Sequence, residues 1–367
     1  MKEKQLAAGI FKCVKPTFVP KIFRLQRAGL VLSLLLSASS LTLFSYAPKA
    51  EPLNYYANSR PTAYDLYKPE VGRIFNNRSP ILSSHPLLAP NAQIWLTPEN
   101  LSPMVAGSPP YQGVWTPTGQ RGVGGAVVFY TTVAPYEGAA SVDVAWIDQS
   151  QTALAIYAGT TQPNGAFPNQ GYVPSALQSR LVAAFEGGFQ FQVAGGGFYQ
   201  NGVTAIPLKT GAASLVQYQN GTVNIGSWGT EVTMTPQVYA VRQNLTLLVD
   251  NGQITYQTNV SPLTTWGYSL GNLVSTWRSG VGVTSSGNLI WVGGPGLSPY
   301  MLAKVLVWAG AVRAMQLDIN PDWVNFASYS YKPGVGAVGQ NLSPAMYFPA
   351  SHYLSPFWRD FVAVFLQ

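Results

Sequence analysis

From Tyr111 onward the chain is a succession of short runs rich in Val, Tyr, Phe and Thr, cut apart by turn dipeptides. That pattern admits few folds. The runs 124–133, 139–147, 153–158, 181–185, 213–218, 238–242, 245–249, 281–284 and 289–292 have the length of strands, with Asn220-Gly221, Asn251-Gly252 and Ser286-Gly287 as turn signals among them. The last two join neighbouring runs closely enough for hairpins, so a mostly antiparallel sheet is expected. One helix stands out. Ser298 is placed to cap it, Pro299 suits its first position, Met301, Leu302, Val305, Leu306 and Ala309 share a face, and Gly310 ends it. Residues 311–319 then read as a strand stopped by Asn320-Pro321, and 361–366 as a closing strand. The expected fold is α+β, mostly antiparallel sheet with few helices, in a single domain over residues 111–367.

Ahead of this domain the chain has a different character. The twenty residues 28–47, AGLVLSLLLSASSLTLFSYA, carry no charge. As a helix they would reach about 30 Å, the hydrocarbon thickness of a bilayer. Residues 1–27 hold Lys2, Lys4, Lys12, Lys15, Lys21, Arg24 and Arg27 against Glu3 alone. Such a basic arm stays in the cytoplasm and sends the chain beyond the hydrophobic segment across the membrane. The expectation is a transmembrane signal-anchor: a single-pass protein of the cell membrane with its C-terminal domain outside. Ser45 and Ala47 are small where a signal peptidase reads, so cleavage after Ala47 would give a secreted form instead. Twelve of the 28 prolines fall between Pro48 and Pro117, which makes 48–110 read as an extended stalk. The alternative is an ordered arm wrapped on the domain, which Trp95 and Leu87-Leu88 would allow.

The formal charge of +7 is concentrated in the basic arm, which holds seven of the 21 bases and one of the 14 acids. The rest is close to neutral, with no basic stripe, which argues against nucleic acid as a partner. The arm would meet anionic lipid headgroups. Cys13, the single cysteine, lies in the arm, so no disulfide is expected in the domain. His85 and His352 are too few for a histidine-rich metal site.

Nine acids remain from Tyr111 to the C-terminus, and that narrows the search for chemistry. Glu137, Asp148 and Asp250 flank turns and are expected to be solvated, while Asp143, Glu231 and Asp360 sit at strand edges and read as surface. Asp318 differs, because it ends an apolar strand where side chains open onto a crevice. Glu186 ends the apolar run 183–185 and precedes Gly187-Gly188, where backbone can approach a ligand or turn sharply. A buried carboxylate must be paired, protonated or bound to a cation. For both residues the alternative is a structural salt bridge. Asp318-x-Asn320-x-Asp322 resembles the opening of a calcium loop, but Trp323 stands where the loop's glycine belongs and Tyr329 where its closing Glu belongs. Arg278 lies in Trp277-Arg278-Ser279-Gly280 and Arg242 in Val241-Arg242-Gln243-Asn244. A guanidinium at a strand start beside glycines suits bidentate capture of a phosphate or carboxylate, and the alternative is pairing with Asp318 or Glu186.

Taken in order, Phe185-Glu186-Gly187-Gly188-Phe189, then 247–252, then 278–284 with Gly287 and Leu289, then the helix and 310–318, are similar to the phosphodiester glycosidase domain family. That family includes the enzyme that removes N-acetylglucosamine from a phosphodiester to uncover mannose 6-phosphate, and bacterial proteins linked to exopolysaccharide. The resemblance covers roughly residues 180–367 and points to a divergent exported bacterial branch. Members carry Asn-Gly-Gly-Phe-Phe where this chain has Glu186 to Gln190, and Arg-Thr-Ala-Val-Gly where Arg278 stands. They close with Leu-Asp-Gly-Gly-Gly-Ser-Ser, of which only Leu317-Asp318 is present here; Pro321 has no N–H to offer a phosphate.

What the resemblance implies is an exported glycosidase-like hydrolase acting on a cell-envelope glycan or sugar phosphodiester. Asp318 with Glu186 or Asp322 would be acid and base, and Arg278, Arg242, Gly187, Gly188 and Asn320 would bind substrate. The missing glycine-serine loop, and Trp266, Trp277, Trp308, Trp323 and Trp358 as stacking surfaces, suit an inactive glycan-binding protein of the same fold. No cofactor is expected, with a divalent cation at Asp318 the one addition left open.

Overall fold

The computed structural model describes residues 97–259 and 265–367, which form one domain. The basic arm, the hydrophobic segment 28–47 and the stalk up to residue 96 lie outside the described residues. In chain order the first strands are β1 (Thr116–Gly122), β2 (Gly125–Val133), β3 (Val142–Ile147), β4 (Thr152–Tyr157), β5 (Leu181–Glu186), β6 (Phe198–Gln200), β7 (Val203–Ile206), β8 (Ala213–Tyr218) and β9 (Val223–Ser227). The later ones are β10 (Val238–Gln243), β11 (Leu247–Asp250), β12 (Gln253–Ile254), β13 (Thr276–Thr284), β14 (Leu289–Leu297), β15 (Ala311–Ile319), β16 (Phe326–Lys332), β17 (Gly336–Asn341) and β18 (Phe361–Leu366). A four-residue helix, α1 (Ser175–Gln178), precedes β5, and α2 (Pro299–Trp308) precedes β15.

The strands make three sheets: β1-β2-β3-β14-β13-β15-β11-β12, then β7-β6-β10-β8-β9, then β17-β16-β5-β18-β4. Neighbouring strands pair antiparallel throughout, as in β13 with β14 and with β15. The core lies where the inner faces of the sheets meet. Leu289 and Trp291 of β14 point into it with Leu154, Ile156, Phe185, Phe198 and Leu215 from the other two sheets. Ile290 and Val292 point the opposite way, onto Leu302, Val305 and Leu306 of α2. With both faces buried, β14 needs an unbroken apolar run, and Leu289–Val292 supplies it. Ser298 caps α2 by accepting the Met301 N–H at 3.1 Å. Gly280 lets the helix lie close, since a Cβ there would stand 3.2 Å from Leu306 and 2.9 Å from the Met315 carbonyl.

The expected helix, its cap and the strands at 311–319 and 361–366 are present as read. Asn251-Gly252 turns β11 into β12, with φ of 47° and 73° at the two residues, the left-handed pair that such a tight turn needs. Seven strands were not expected: β1, β6, β7, β9, β12, β16 and β17. Five of these, all except β6 and β16, lie at sheet edges. An edge strand faces solvent and carries polar residues and glycine, as TPTGQRG of β1 and GAVGQN of β17 do, so hydrophobic patterning is weak there. Residues 97–110, the end of the proline-rich stretch, lie on the domain. The Trp308 indole donates to the Ser102 carbonyl at 2.8 Å, and Leu101 and Met104 pack against the α2 cluster.

Three acids are placed otherwise than their sequence setting suggests. Asp148 is fully buried, where its carboxylate accepts from Ser150 N–H at 2.8 Å and from Gln151 at 2.8 Å and so braces its own turn. Asp143 and Asp360 are buried as well. Turn-flanking or strand-edge position along the chain does not report what the neighbouring sheet places over it.

Candidate functional site

One end of the domain gathers charged residues from all three sheets. Glu186 closes β5, Ser279 lies in β13, Asp318 is the penultimate residue of β15, Arg242 lies in β10, and Arg359 and Asp360 lead into β18. A β-bulge helps to aim them. Arg278 pairs with Ile319 and Gly280 with Gln316, which leaves Leu317 and Asp318 together opposite Ser279. Such an extra residue re-directs a side chain locally.

Glu186 and Asp318 meet through Ser279. The Ser279 hydroxyl donates to Glu186 Oε1 and accepts the main-chain N–H of Asp318 at 3.1 Å. Glu186 Oε2 accepts the Asn325 N–H at 3.1 Å. Burial pushes the Glu186 carboxyl well above the usual carboxylate range, and the charge of Asp318 adds to this, while the Ser279 bond opposes it. Asp318 is 2% exposed; its Oδ1 accepts the Ile319 N–H at 2.8 Å and its Oδ2 pairs with Arg359 Nη2 at 2.5 Å. Burial raises Asp318 to about 6, with the Arg359 charge pulling the other way.

Arg359 is the cation that sequence reasoning passed over. Its Nη2 also donates to the Gly188 carbonyl, and its guanidinium lies 4.4 Å from the centre of the Trp323 ring. Its Nε and Nη1 have no hydrogen-bond partner among the described residues. Trp323 and Arg359 line two cavities. The larger is an open cleft of about 380 Å³ whose wall includes Phe189, Val193, Tyr268, Asn320 and Trp323, with Asp318 and Arg359 at its polar end. The smaller, about 10 Å³, has Glu186, His352 and Tyr353 on its walls. Burial lowers His352 to about 4, so it is neutral near pH 7, with Nδ1 2.8 Å from the Pro349 carbonyl oxygen.

The other candidates, Asn320 excepted, stand apart from the cleft. Arg278 is fully buried and donates to the carbonyls of Leu297 and Trp266 at 3.0 Å, to Val274 at 3.2 Å and to Gln316 Oε1 at 3.0 Å. Burial lowers it to about 10, and it lines neither cavity. Arg242 is fully buried too, paired through Nε with Asp360 Oδ2 at 2.8 Å and donating from Nη2 to the Phe189 carbonyl. Gly187 is small because Asp360 is adjacent, a Cβ there falling 2.0 Å from Asp360 Oδ2. Gly188, at φ of 135°, adopts a backbone that a side chain disfavours. Asp322 is half-buried and lines neither cavity. Asn320 does line the cleft, but its Oδ1 accepts the Leu270 N–H at 2.9 Å. The oxygens of Asp318 and Asn320 that a calcium-type loop would turn on a cation are thus engaged by N–H groups and by Arg359. Among the described residues, no three His, Cys, Asp or Glu side chains group as metal ligands would.

Of the tryptophans, Trp266 is buried and its indole donates to the Gln257 carbonyl at 2.8 Å, while Trp323 faces the cleft. Arg359 had no distinctive sequence setting, whereas Ser279 lay beside Arg278 in the stretch 278–284 and was not singled out. Asp360 did lie beside an apolar strand, but its partner Arg242 is 118 positions away.

No protein-family model matches the chain, and no curated protein matches it in sequence. Among solved structures it is similar to the zebrafish N-acetylglucosamine-1-phosphodiester alpha-N-acetylglucosaminidase catalytic domain, auto-inhibited by its pro-peptide, at 13% identity over 68% of this chain and 87% of that one, with a TM-score of 0.42. A hypothetical protein from Synechocystis is similar at 11% identity over 65% of this chain and 62% of that one, TM-score 0.39. A protein from Burkholderia pseudomallei K96243, described as exported, is similar at 13% identity over 66% and 75% respectively, TM-score 0.30. At these identities and scores the likeness assigns no activity to this chain.

Proposed function

We propose that this chain is an exported glycosidase-like hydrolase that acts on a cell-envelope glycan or sugar phosphodiester, with Asp318 as its acid. The observation behind this reading is the Asp318 carboxyl itself, buried at the polar end of an aromatic-walled cleft and raised to about 6. An acid with a pKa near the working pH both holds a proton and can release it. In the reading, protonated Asp318 gives its proton to the leaving oxygen as the glycosidic C–O bond breaks. Arg359 steadies the carboxylate that results, which takes a proton back from the attacking water. The Nε and Nη1 of Arg359, without a hydrogen-bond partner among the described residues, would hold an anionic group of the substrate, and the exposed Tyr268 offers a face on which a sugar ring can stack. Glu186, behind Ser279, is the second carboxyl, and no cofactor enters. Export rests on the hydrophobic segment 28–47, as a membrane anchor or as a cleaved signal.

A second reading has its own support. Asp318 is the one carboxylate on the wall of the cleft among the described residues, whereas glycoside hydrolysis ordinarily sets two across the scissile bond. A glycan-binding protein without turnover needs only the aromatic wall and Arg359. Incubation of the full chain with envelope glycans and sugar-1-phosphodiesters separates the two. Hydrolysis that falls at least about 100-fold in Asp318→Asn supports the enzyme. Hydrolysis unchanged in that variant removes Asp318 as the acid, and binding without turnover selects the second reading.

A further inference from the structure

The loop that forms one lip of the cleft holds large apolar side chains out to solvent. Tyr268 is 66% exposed, Leu270 61%, Leu273 57% and Val274 41%, with Val193 on the cleft wall at 60%. Single exposed apolar residues are ordinary, but a cluster beside a cleft marks a contact surface. This loop is also braced. The Leu270 N–H donates to Asn320, the Ser269 hydroxyl to the Leu273 carbonyl at 2.6 Å, and Arg278 to the Trp266 and Val274 carbonyls. Gly267 lies so close to Phe189 that a Cβ would come within 2.5 Å of the ring. Four apolar side chains are therefore displayed by a backbone fastened to the site.

Charge is absent on both sides. No Asp, Glu, Lys or Arg occurs from 251 to 277, nor from 187 to 208, the two stretches that supply Tyr268 and Val193. The charged groups of the cleft, Asp318 and Arg359, are instead nearly without solvent. A site polar at its floor and hydrocarbon-like at its mouth is complementary to an amphiphile.

We infer that the lip formed by Tyr268, Leu270, Leu273, Val274 and Val193 is a subsite for the hydrocarbon chain of an amphipathic saccharide whose sugar enters the cleft. This rests on reading the cleft as a sugar site. Continuity selects the occupant: Tyr268 and Val193 belong to the cleft wall and to the apolar lip at once, so one ligand spans both.

The test is calorimetric titration of the full chain, held in amphipol, with methyl, hexyl, heptyl and octyl glucoside below their micelle concentrations. Each added methylene should tighten binding about fourfold from hexyl to octyl. In Leu270→Ser/Leu273→Ser, whose changed side chains are exposed, the dependence on chain length should vanish while methyl glucoside binds as before. Affinity independent of chain length, with methyl glucoside still bound, overturns the lip subsite and leaves the sugar site standing. Failure of every glucoside to bind overturns both. A third arm uses phosphatidylcholine vesicles free of glycolipid. Capture by the original chain and not by the double variant would make the lip a bilayer contact, and would overturn the inference.

Discussion

Asp143 shows how much a single buried carboxylate can govern. It lies in β3 between β2 and β14, its carboxyl has no hydrogen-bond or ion-pair partner among the described residues, and burial raises it to about 7 from 3.8. The folded state therefore binds the proton more tightly than the unfolded chain. Stability from this group is complete below pH 4 and is lost as pH rises through about 7. A shift of about three units corresponds to at most about 4 kcal/mol. Asp143→Asn should thus be more stable than the original chain at pH 8, with the gap shrinking toward pH 5, in urea unfolding followed at both. A gap that does not change with pH would mean that Asp143 stays ionised in the fold. Sequence placed Asp143 at a surface edge, because strand position says nothing about the sheet partners on either side. The same blindness hid Arg359. Its importance comes from Asp318 and Trp323, 41 and 36 positions away, and no local signal marks it.

Elements were more legible than residues, and helix α2 shows why. Cap, first-turn proline, apolar face and terminal glycine all fall within thirteen consecutive residues, 298–310, so every determinant is local. Ser298→Ala removes the acceptor for the Met301 N–H and should cost about 1 kcal/mol in urea unfolding. A loss well under that would show that packing of Leu302, Val305 and Leu306 alone holds the helix start. Strands were legible where burial on both faces imposes a continuous apolar run, as in β5 and β14. They were not where one side meets solvent, as in β7 and β17. The bulge opposite Ser279, which aims Asp318, depends on a register between β13 and β15 that neither strand encodes alone.

At the scale of the molecule, the question is what holds three sheets together at the end where the site forms. Arg242 and Asp360 join β10 of one sheet to the start of β18 in another, both nearly without solvent. A buried pair of this kind gains little over an apolar pair, but removing one member strands a charge. Arg242→Met should therefore cost about 3–5 kcal/mol, and Asp360→Leu a similar amount. The double variant should be more stable than the sum of the two losses predicts, by about 1–3 kcal/mol, because no charge is left alone. Recovery will be incomplete, since Arg242 also serves the carbonyls of Phe189 and Gln243. If the two losses simply add, the pair is not the joint, and the sheets are held by the shared apolar core of Phe185, Phe198 and Trp291. If they couple, the joint also sets the site. Asp360 closes on Gly187, whose neighbour Gly188 gives its carbonyl to Arg359, the residue that holds Asp318. Loosening Arg242 and Asp360 should then weaken the sugar binding that we propose for the cleft, even in a double variant whose fold is recovered, a loss that titration at equal folded fraction would read directly.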